Sequence, residues 1–409
     1  MYPDISYIFA DWFGTCVDNG FSIVKTFGLL LVCAFLASAT VLSLEMKRKE
    51  SLGLLHPMIV HVKENHIPWT EILSNTFFVF VAAFKLPYII MNFDEMKADP
   101  MGLTFSSKGH LIPGLIISIL FFGYSWYRKY NREKSAVTIS KTIRPHERVG
   151  DITIMAAIFG ILGAKLFVII ESKEAFLSFL DNPIESLFSG AGLAIYGGLI
   201  VAFIAVLIYV RKFKFNPWVI MDAAAPALII GYAVGRLGCQ LSGDGDWGIV
   251  NEMPEPGWWI LPDWMWAYDY PNTVVEYMNP AKGNVLVEIP DCNGYETGTD
   301  AAPRFCNRLG KPVFPTPIYE TILGLGIFGI LWSLRKKIHI PGMLFFIYCM
   351  FNGFERFWIE KIRVNEKLDF IGIKATQAEI ISCALFIIGI AGCWYLWHRS
   401  KSIARINVN

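Results

Sequence analysis

Charge is scarce in this sequence. Asp, Glu, Lys and Arg supply 17% of the 409 residues and nearly cancel, leaving a net charge of +1. A soluble domain carries nearer a quarter of its residues charged. Here 54% are hydrophobic and the mean hydropathy is +0.44, which excludes an ordinary water-soluble protein. The charge total by itself says nothing about acidic partners, and no nucleic-acid partner is expected. The chain also lacks CxxC, HExxH and any clustering of its seven histidines, so neither a metal site nor a cofactor is expected. No low-complexity segment and no internal repeat stands out. The first residues, MYPDISYIFADWFGTC, lack a basic stretch, so no cleavable signal peptide is expected and the first apolar helix reads as an uncleaved anchor.

What the chain does have is long apolar runs. A helix needs about 20 mainly apolar residues to cross the hydrocarbon. Nine segments qualify, roughly 22–45, 73–92, 111–127, 151–171, 190–211, 217–235, 316–334, 341–359 and 377–398, the second being interrupted by Lys85 and Pro87. The expected fold is an all-α polytopic membrane protein, 1–409 forming a single membrane domain. One set of connections carries Lys47–Lys49, Arg128 to Arg148, Arg211–Lys214, Arg335–Lys337 and Arg399–Arg405; the other is poor in Lys and Arg. The positive-inside rule makes the basic set cytoplasmic, with the N-terminus outside and the C-terminus inside.

That topology leaves 236–315 as the largest segment outside. Cys292 and Cys306 lie there in a polar stretch and are a disulfide candidate, while the other six cysteines lie in or beside spans and default to small core residues. The same segment holds GWWILPDWMWAYDY, either an interfacial aromatic belt or an arm riding on the membrane over a lipid site.

Ionisable residues inside spans are costly and mark functional candidates. Here they gather at the outer helix ends: Arg236 in GRLG, Tyr319 and Glu320 in PTPIYE, and Arg356 and Glu360 in ERFWIE. Arg356 and Glu360 lie four apart on one helical face, as a satisfied intrahelical pair or as two groups turned to one cavity. Tyr196 stands in the fifth span beside Gly197 and Gly198, which permit close approach of a ligand or simply of another helix. Asp222 reads as a cap or brace for a neighbouring helix. Two arginines at headgroup depth suit a phosphate, because guanidinium is planar, always charged and bidentate.

These motifs together, GRLGCQLSGDGDWG, AIYGGLI, GILGAKL, PTPIYE and ERFWIEKIR, with weaker matches in FGLL and TQAEIIS, resemble the prolipoprotein diacylglyceryl transferase family over about two thirds of the chain. The resemblance implies a bacterial inner-membrane enzyme of seven spans with its active site facing the outer side. Such an enzyme moves the diacylglyceryl group of phosphatidylglycerol to the lipobox cysteine thiol of a preprolipoprotein, forming a thioether and releasing glycerol 1-phosphate. On this reading 73–127 is an inserted hairpin and 249–313 an inserted outer loop or arm. Carried over by position, Arg236, Arg356, Glu360, Asp244 and Tyr196 are the catalytic candidates. Gly197, Gly198, Cys239, Ser242, Gly248, Tyr319 and Glu320 join the two arginines as phosphatidylglycerol contacts.

The sequence departs from the family pattern in several places. Cys239 and Ser242 replace two Asn, Phe27 a Tyr, Val364-Asn365 a Pro-Asp, and Tyr196 the His that would be the obvious base. Asp244 or Asp246 takes the place of the family Glu, since one residue is inserted between. Asp244 or Tyr196 is then the expected proton acceptor, and Cys239 is read as packing rather than as a nucleophile. The bilayer, phosphatidylglycerol and the lipobox segment are the expected partners of a monomer. A non-catalytic phospholipid-binding or transport protein on the same fold is the alternative.

Overall fold

The computed structural model describes residues 1–17, 19–63, 69–93, 96, 108–133, 138–181, 194–275, 284–289, 305–365, 368–370 and 373–406. The chain forms two compact units, Met1–Leu55 with Phe215–Asn409, and His56–Lys214. Seven of the described helices are long and apolar enough to cross a membrane. Short antiparallel strand pairs are the only sheets among the described residues. The protein is an all-α polytopic membrane protein.

The first unit contains α1 (Ile5–Phe13), α2 (Thr26–Ser51), α8 (Pro217–Ser242), α9 (Thr316–Leu334), α10 (Met343–Glu360) and α11 (Gln377–Ile406). Its centre is α8, which packs against α2, α9 and α10, while α10 also packs on α11. Asn216 starts α8, its side chain accepting from the Trp218 N–H at 3.1 Å, with Pro217 already fixed for the first turn. At 26 residues the helix is about 39 Å long, more than the hydrocarbon requires. Small residues on its faces let neighbours approach: Ser38 of α2 lies against Gly231 and donates to the Ala227 carbonyl at 2.8 Å. Ala225, Ile229, Ile327, Leu331 and Leu344 form the core between α8, α9 and α10.

Asp222 caps α10. Its carboxylate accepts from Gly342 N–H at 2.8 Å and Phe345 N–H at 3.2 Å, with Lys49 of α2 at 3.7 Å. At the same end, buried Glu45 holds Arg48 at 2.8 Å and also pairs with Arg335. The basic helix ends read from the sequence therefore meet around two buried carboxylates.

The first span begins later than expected, at Thr26, because Asp4 pairs with Lys25 at 3.0 Å and a short 3-10 turn, Gly20–Ile23, occupies the preceding residues. More consequential is the other end of α8. The polar residues from Arg236 to Ser242 continue the helix, which stops only where Gly243 turns left-handed (φ 64°) and donates to the Cys239 carbonyl. Ser242 donates to the Gly238 carbonyl at 2.9 Å, and Gln240 accepts from Tyr270 of the outer loop at 2.9 Å, so side-chain bonds hold the last turn in helical form. The expected exit near 235 falls short by about two turns, because polar residues at a helix end look the same in sequence as the start of a loop.

The second unit contains β1 (Met58–Lys63), α3 (Trp69–Met91), α4 (Leu111–Glu133), β2 (Thr138–Ile143), α5 (Val149–Glu171), α6 (Lys173–Asp181) and α7 (Ile195–Lys212). Helix α3 packs on α4, β1 pairs with β2, and α5 packs on α7. Gly197 and Gly198 serve that last contact: a side chain at 197 would run into Phe167, and a Cβ at 198 would lie 2.7 Å from the Gly160 carbonyl oxygen. Tyr196 is half-buried beside them.

Back in the first unit, β3 (Leu286–Glu288) pairs with β4 (Asn307–Leu309), and β5 (Leu368–Phe370) with β6 (Ile373–Ala375). The Trp247, Tyr270, Leu309 and Val313 cluster packs the described part of the outer loop. Cys306 is disulfide-bonded, and its expected partner, Cys292, lies outside the described residues.

Candidate active site

The exit ends of α8 and α10 and the entry end of α9 bring three arginines and three carboxylates together. Arg236 comes from the last two turns of α8, Glu320 from the second turn of α9, and Arg356 and Glu360 from the last turns of α10. Asp246 and Arg363 follow α8 and α10.

Glu320 is the hub. It is 0% exposed, yet its carboxylate contacts Arg236 Nε at 3.0 Å, Arg356 Nη1 at 2.8 Å and Arg363 Nη1 at 3.5 Å. Asp246 bridges two of the same arginines, pairing with Arg236 and accepting from Arg363 Nη2 at 2.5 Å. Glu360 lies 3.2 Å from Arg356 Nη2 and accepts from the Asn365 amide at 2.6 Å. Asn365 stands where the resemblance leads one to expect Asp. An amide can donate to Glu360, whereas a second carboxylate would repel it.

Backbone pairing fixes the loop against these helix ends. Gly248 N–H donates to the Phe314 carbonyl at 2.8 Å, and Ile249 N–H to the Ile362 carbonyl at 2.8 Å. A Cβ at Gly248 would stand 2.5 Å from the Ile362 oxygen, so only glycine fits. Thr316 donates to the Asp246 carbonyl at 2.8 Å. Tyr319 donates to the Met265 carbonyl at 2.5 Å and so holds the outer loop over α9.

Electrostatics divide the two loop aspartates. Burial pushes the Asp244 carboxyl above its usual range, and the neighbouring Asp246 charge adds to this. Burial would raise Asp246 as well, but the Arg236 and Arg363 guanidiniums hold it below that range. One ligand atom each from Cys239, Asp244 and Asp246 lies within 4.8 Å of the others. With two guanidiniums already on Asp246, that donor set does not favour a cation.

Arg236, Arg356, Glu320 and Glu360, expected from the sequence, thus meet in one cluster, with Asp244 and Cys239 beside it. Ser242 and Tyr319 spend their hydroxyls on backbone carbonyls, and Gly248 serves a backbone junction. Tyr196, Gly197 and Gly198 belong to the second unit. Sequence reasoning passed over Arg363, although ERFWIEKIR ends on it and a spacing of seven from Arg356 puts both on one side of a helix.

Fold and site together define a multi-pass membrane protein with an arginine–carboxylate cluster at one end of its helices. Comparison with known sequences makes the assignment specific. The chain belongs to the prolipoprotein diacylglyceryl transferase family, whose model matches residues 111–395. It is 28% identical to a phosphatidylglycerol–prolipoprotein diacylglyceryl transferase of Dehalococcoides mccartyi, covering 75% of this chain and 96% of that one. It is similar to proteins of the same name from Enterococcus faecalis (28% identical; 56% and 68% covered) and Thermosynechococcus vestitus (23% identical; 71% and 90% covered).

Proposed function

We propose that this protein transfers the diacylglyceryl group of phosphatidylglycerol to the lipobox cysteine thiol of a preprolipoprotein, as the names of its relatives describe for them. The observation that carries the reading is the set of three guanidiniums held by one buried carboxylate. Arg236 and Arg356 neutralise charge developing on the departing glycerol 1-phosphate, and their positions are fixed before substrate arrives. Arg363 contributes buried Nε and Nη1 atoms that have no hydrogen-bond partner among the described residues, donors a phosphate oxygen would satisfy. The nucleophile is the substrate's thiol, so Cys239 has no covalent role. A positive environment also favours the substrate thiolate.

The site faces the outer side of the bacterial inner membrane. In support, the basic cluster around Glu45 and Asp222 lies at the far end of α8 from Arg236, about 21 Å from Asp222 along the helix. Nine spans, with an inserted 73–127 hairpin and a 249–313 outer arm, complete the proposed topology. Because one chain supplies all three arginines and all three carboxylates, the working unit is a monomer. Transport on the same fold is not favoured: α8, α9 and α10 are continuous, and the charged cluster sits at their ends rather than midway.

The test is to incubate purified protein with phosphatidylglycerol and a lipobox peptide and to weigh the peptide product. The thioether is expected with wild type and lost with Arg236→Ala or Arg356→Ala in proteins that still insert and fold. Wild-type rates in either variant would refute the phosphate clamp.

A further inference from the structure

The transfer needs a base, and the carboxylates that hold the arginines are poorly suited to it. Asp246, Glu320 and Glu360 are each within ion-pair distance of at least one guanidinium, so their oxygens are already committed to holding the arginines. One buried carboxyl in the same layer makes no ion pair among the described residues. Glu355 of α10 is 4% exposed; its Oε1 accepts from the Tyr232 hydroxyl at 3.2 Å, and its Oε2 is buried without a hydrogen-bond partner. Tyr232 lies one helical turn inward from Arg236 on α8, and the Arg236 guanidinium sits over its ring, 5.4 Å from the centroid. Tyr232 is half-buried and stands between the closed-in Glu355 carboxyl and the Arg236 guanidinium.

Resting on the transferase reading above, we infer that Tyr232 and Glu355 form the proton relay that activates the incoming thiol in this protein. The thiol proton passes to the Tyr232 oxygen as the tyrosine proton moves to Glu355. The sulfur electron pair then forms the C–S bond to the glycerol carbon. The C–O bond to phosphate breaks, and its electron pair leaves on glycerol 1-phosphate against the arginines. Proton and charge balance, and no further reactant is required. Tyr232 touches the reacting thiol, whereas Glu355 acts through it.

The relay also gives a chemical reason for the sequence to do without the usual histidine at position 196. Asp244, the other carboxylate without an arginine ion pair, accepts an N–H from its own loop at 3.3 Å and lies against the Cys239 thiol rather than against Tyr232. The groups that face Glu355 are Tyr232 and Arg236 from α8, Glu320 from α9, and Tyr348 and Arg356 on its own helix.

The test compares two lipobox peptides, one with cysteine and one with selenocysteine, in the wild type, Glu355→Gln, Tyr232→Phe, Glu355→Asp and Asp244→Asn. A selenol is already deprotonated at neutral pH, so it needs no base, while all other demands on the site are unchanged. Loss of a general base costs roughly 100-fold or more. Glu355→Gln and Tyr232→Phe should therefore lose about that factor with cysteine, lose little with selenocysteine, and recover partly as pH rises past the thiol value near 8.5. Glu355→Asp should restore part of the cysteine rate. Equal losses with both peptides would show a structural role only and overturn the relay, as would full activity with both. A selenocysteine-selective rescue seen in Asp244→Asn but not in Glu355→Gln would move the base to Asp244. If Glu355→Gln does not fold, Tyr232→Phe decides. Wild-type protein that modifies neither peptide would refute the transferase reading itself, a result distinct from all of these.

Discussion

Replacing Glu320 by Gln keeps its shape and removes its charge, so it isolates what the hub does. Three guanidiniums are then ion-paired only to Asp246 and Glu360, and the cluster is left with one negative charge fewer. The Arg236, Arg356 and Arg363 nitrogens stand 3.0, 2.8 and 3.5 Å from the Glu320 oxygens, so each loses one of its two carboxylate partners in a buried setting. Removing one member of a buried charge network costs about 3–5 kcal/mol, because the remaining charge stays desolvated. For a helical unit of this size that corresponds to a fall in melting temperature on the order of 10 °C. The assay is thermal unfolding of the detergent-purified variant, followed by tryptophan fluorescence. Added phosphatidylglycerol should recover more stability in the variant than in the wild type, because the excess guanidinium charge draws the phosphate. A midpoint within about 2 °C of wild type, with no extra response to the lipid, would refute the hub.

Two further outcomes follow from geometry and charge. Gly248→Ala puts a Cβ 2.5 Å from the Ile362 oxygen and 2.9 Å from Phe314 Cβ, so the loop must shift; a loss of about 1–3 kcal/mol and a fall in transfer rate are expected, measured by melting and by peptide modification. The Asp244 carboxyl titrates above its usual 3.8 in the folded protein, so its contribution to stability is full below that value and fades as pH rises through the folded one. Asp244→Asn should therefore melt above wild type at neutral pH, and the difference should vanish in melts run below about pH 3.8.

Much of this was legible in the sequence because lipid imposes strict lengths and a strict charge bias. Runs such as 316–334 and 377–398 mark helices without knowledge of their neighbours, and Arg236, Arg356 and Glu320 stand out because ionisable residues are rare at that depth. The end of α8 was not legible. Polarity after 235 resembles a helix exit, and only the Gly243 turn and the Tyr270–Gln240 contact show where it lies. Arg363 and Glu355 were missed for a related reason. Each sits in a run of charged residues in which one helical turn decides between solvent and cluster. Sequence spacing gives that face only once the partner helices are known. Tyr232 carried no signal, being one aromatic among many in an apolar helix.

The pairing at Gly248 has a consequence for how such a chain can change. Residues 248–251 and 312–314 run side by side, with Asn251 N–H donating to the Pro312 carbonyl at 2.9 Å, Phe314 N–H to Ile249 at 3.1 Å, and Val250 bridging to Val313. Beyond that pairing the described loop returns to the helix ends, with Tyr270 donating to Gln240 and Thr273 to the Gly243 carbonyl. A change of length or composition in those loop residues is therefore felt at the end of α8, and variation in the surface offered to incoming substrates is left to loop positions that make no such tie.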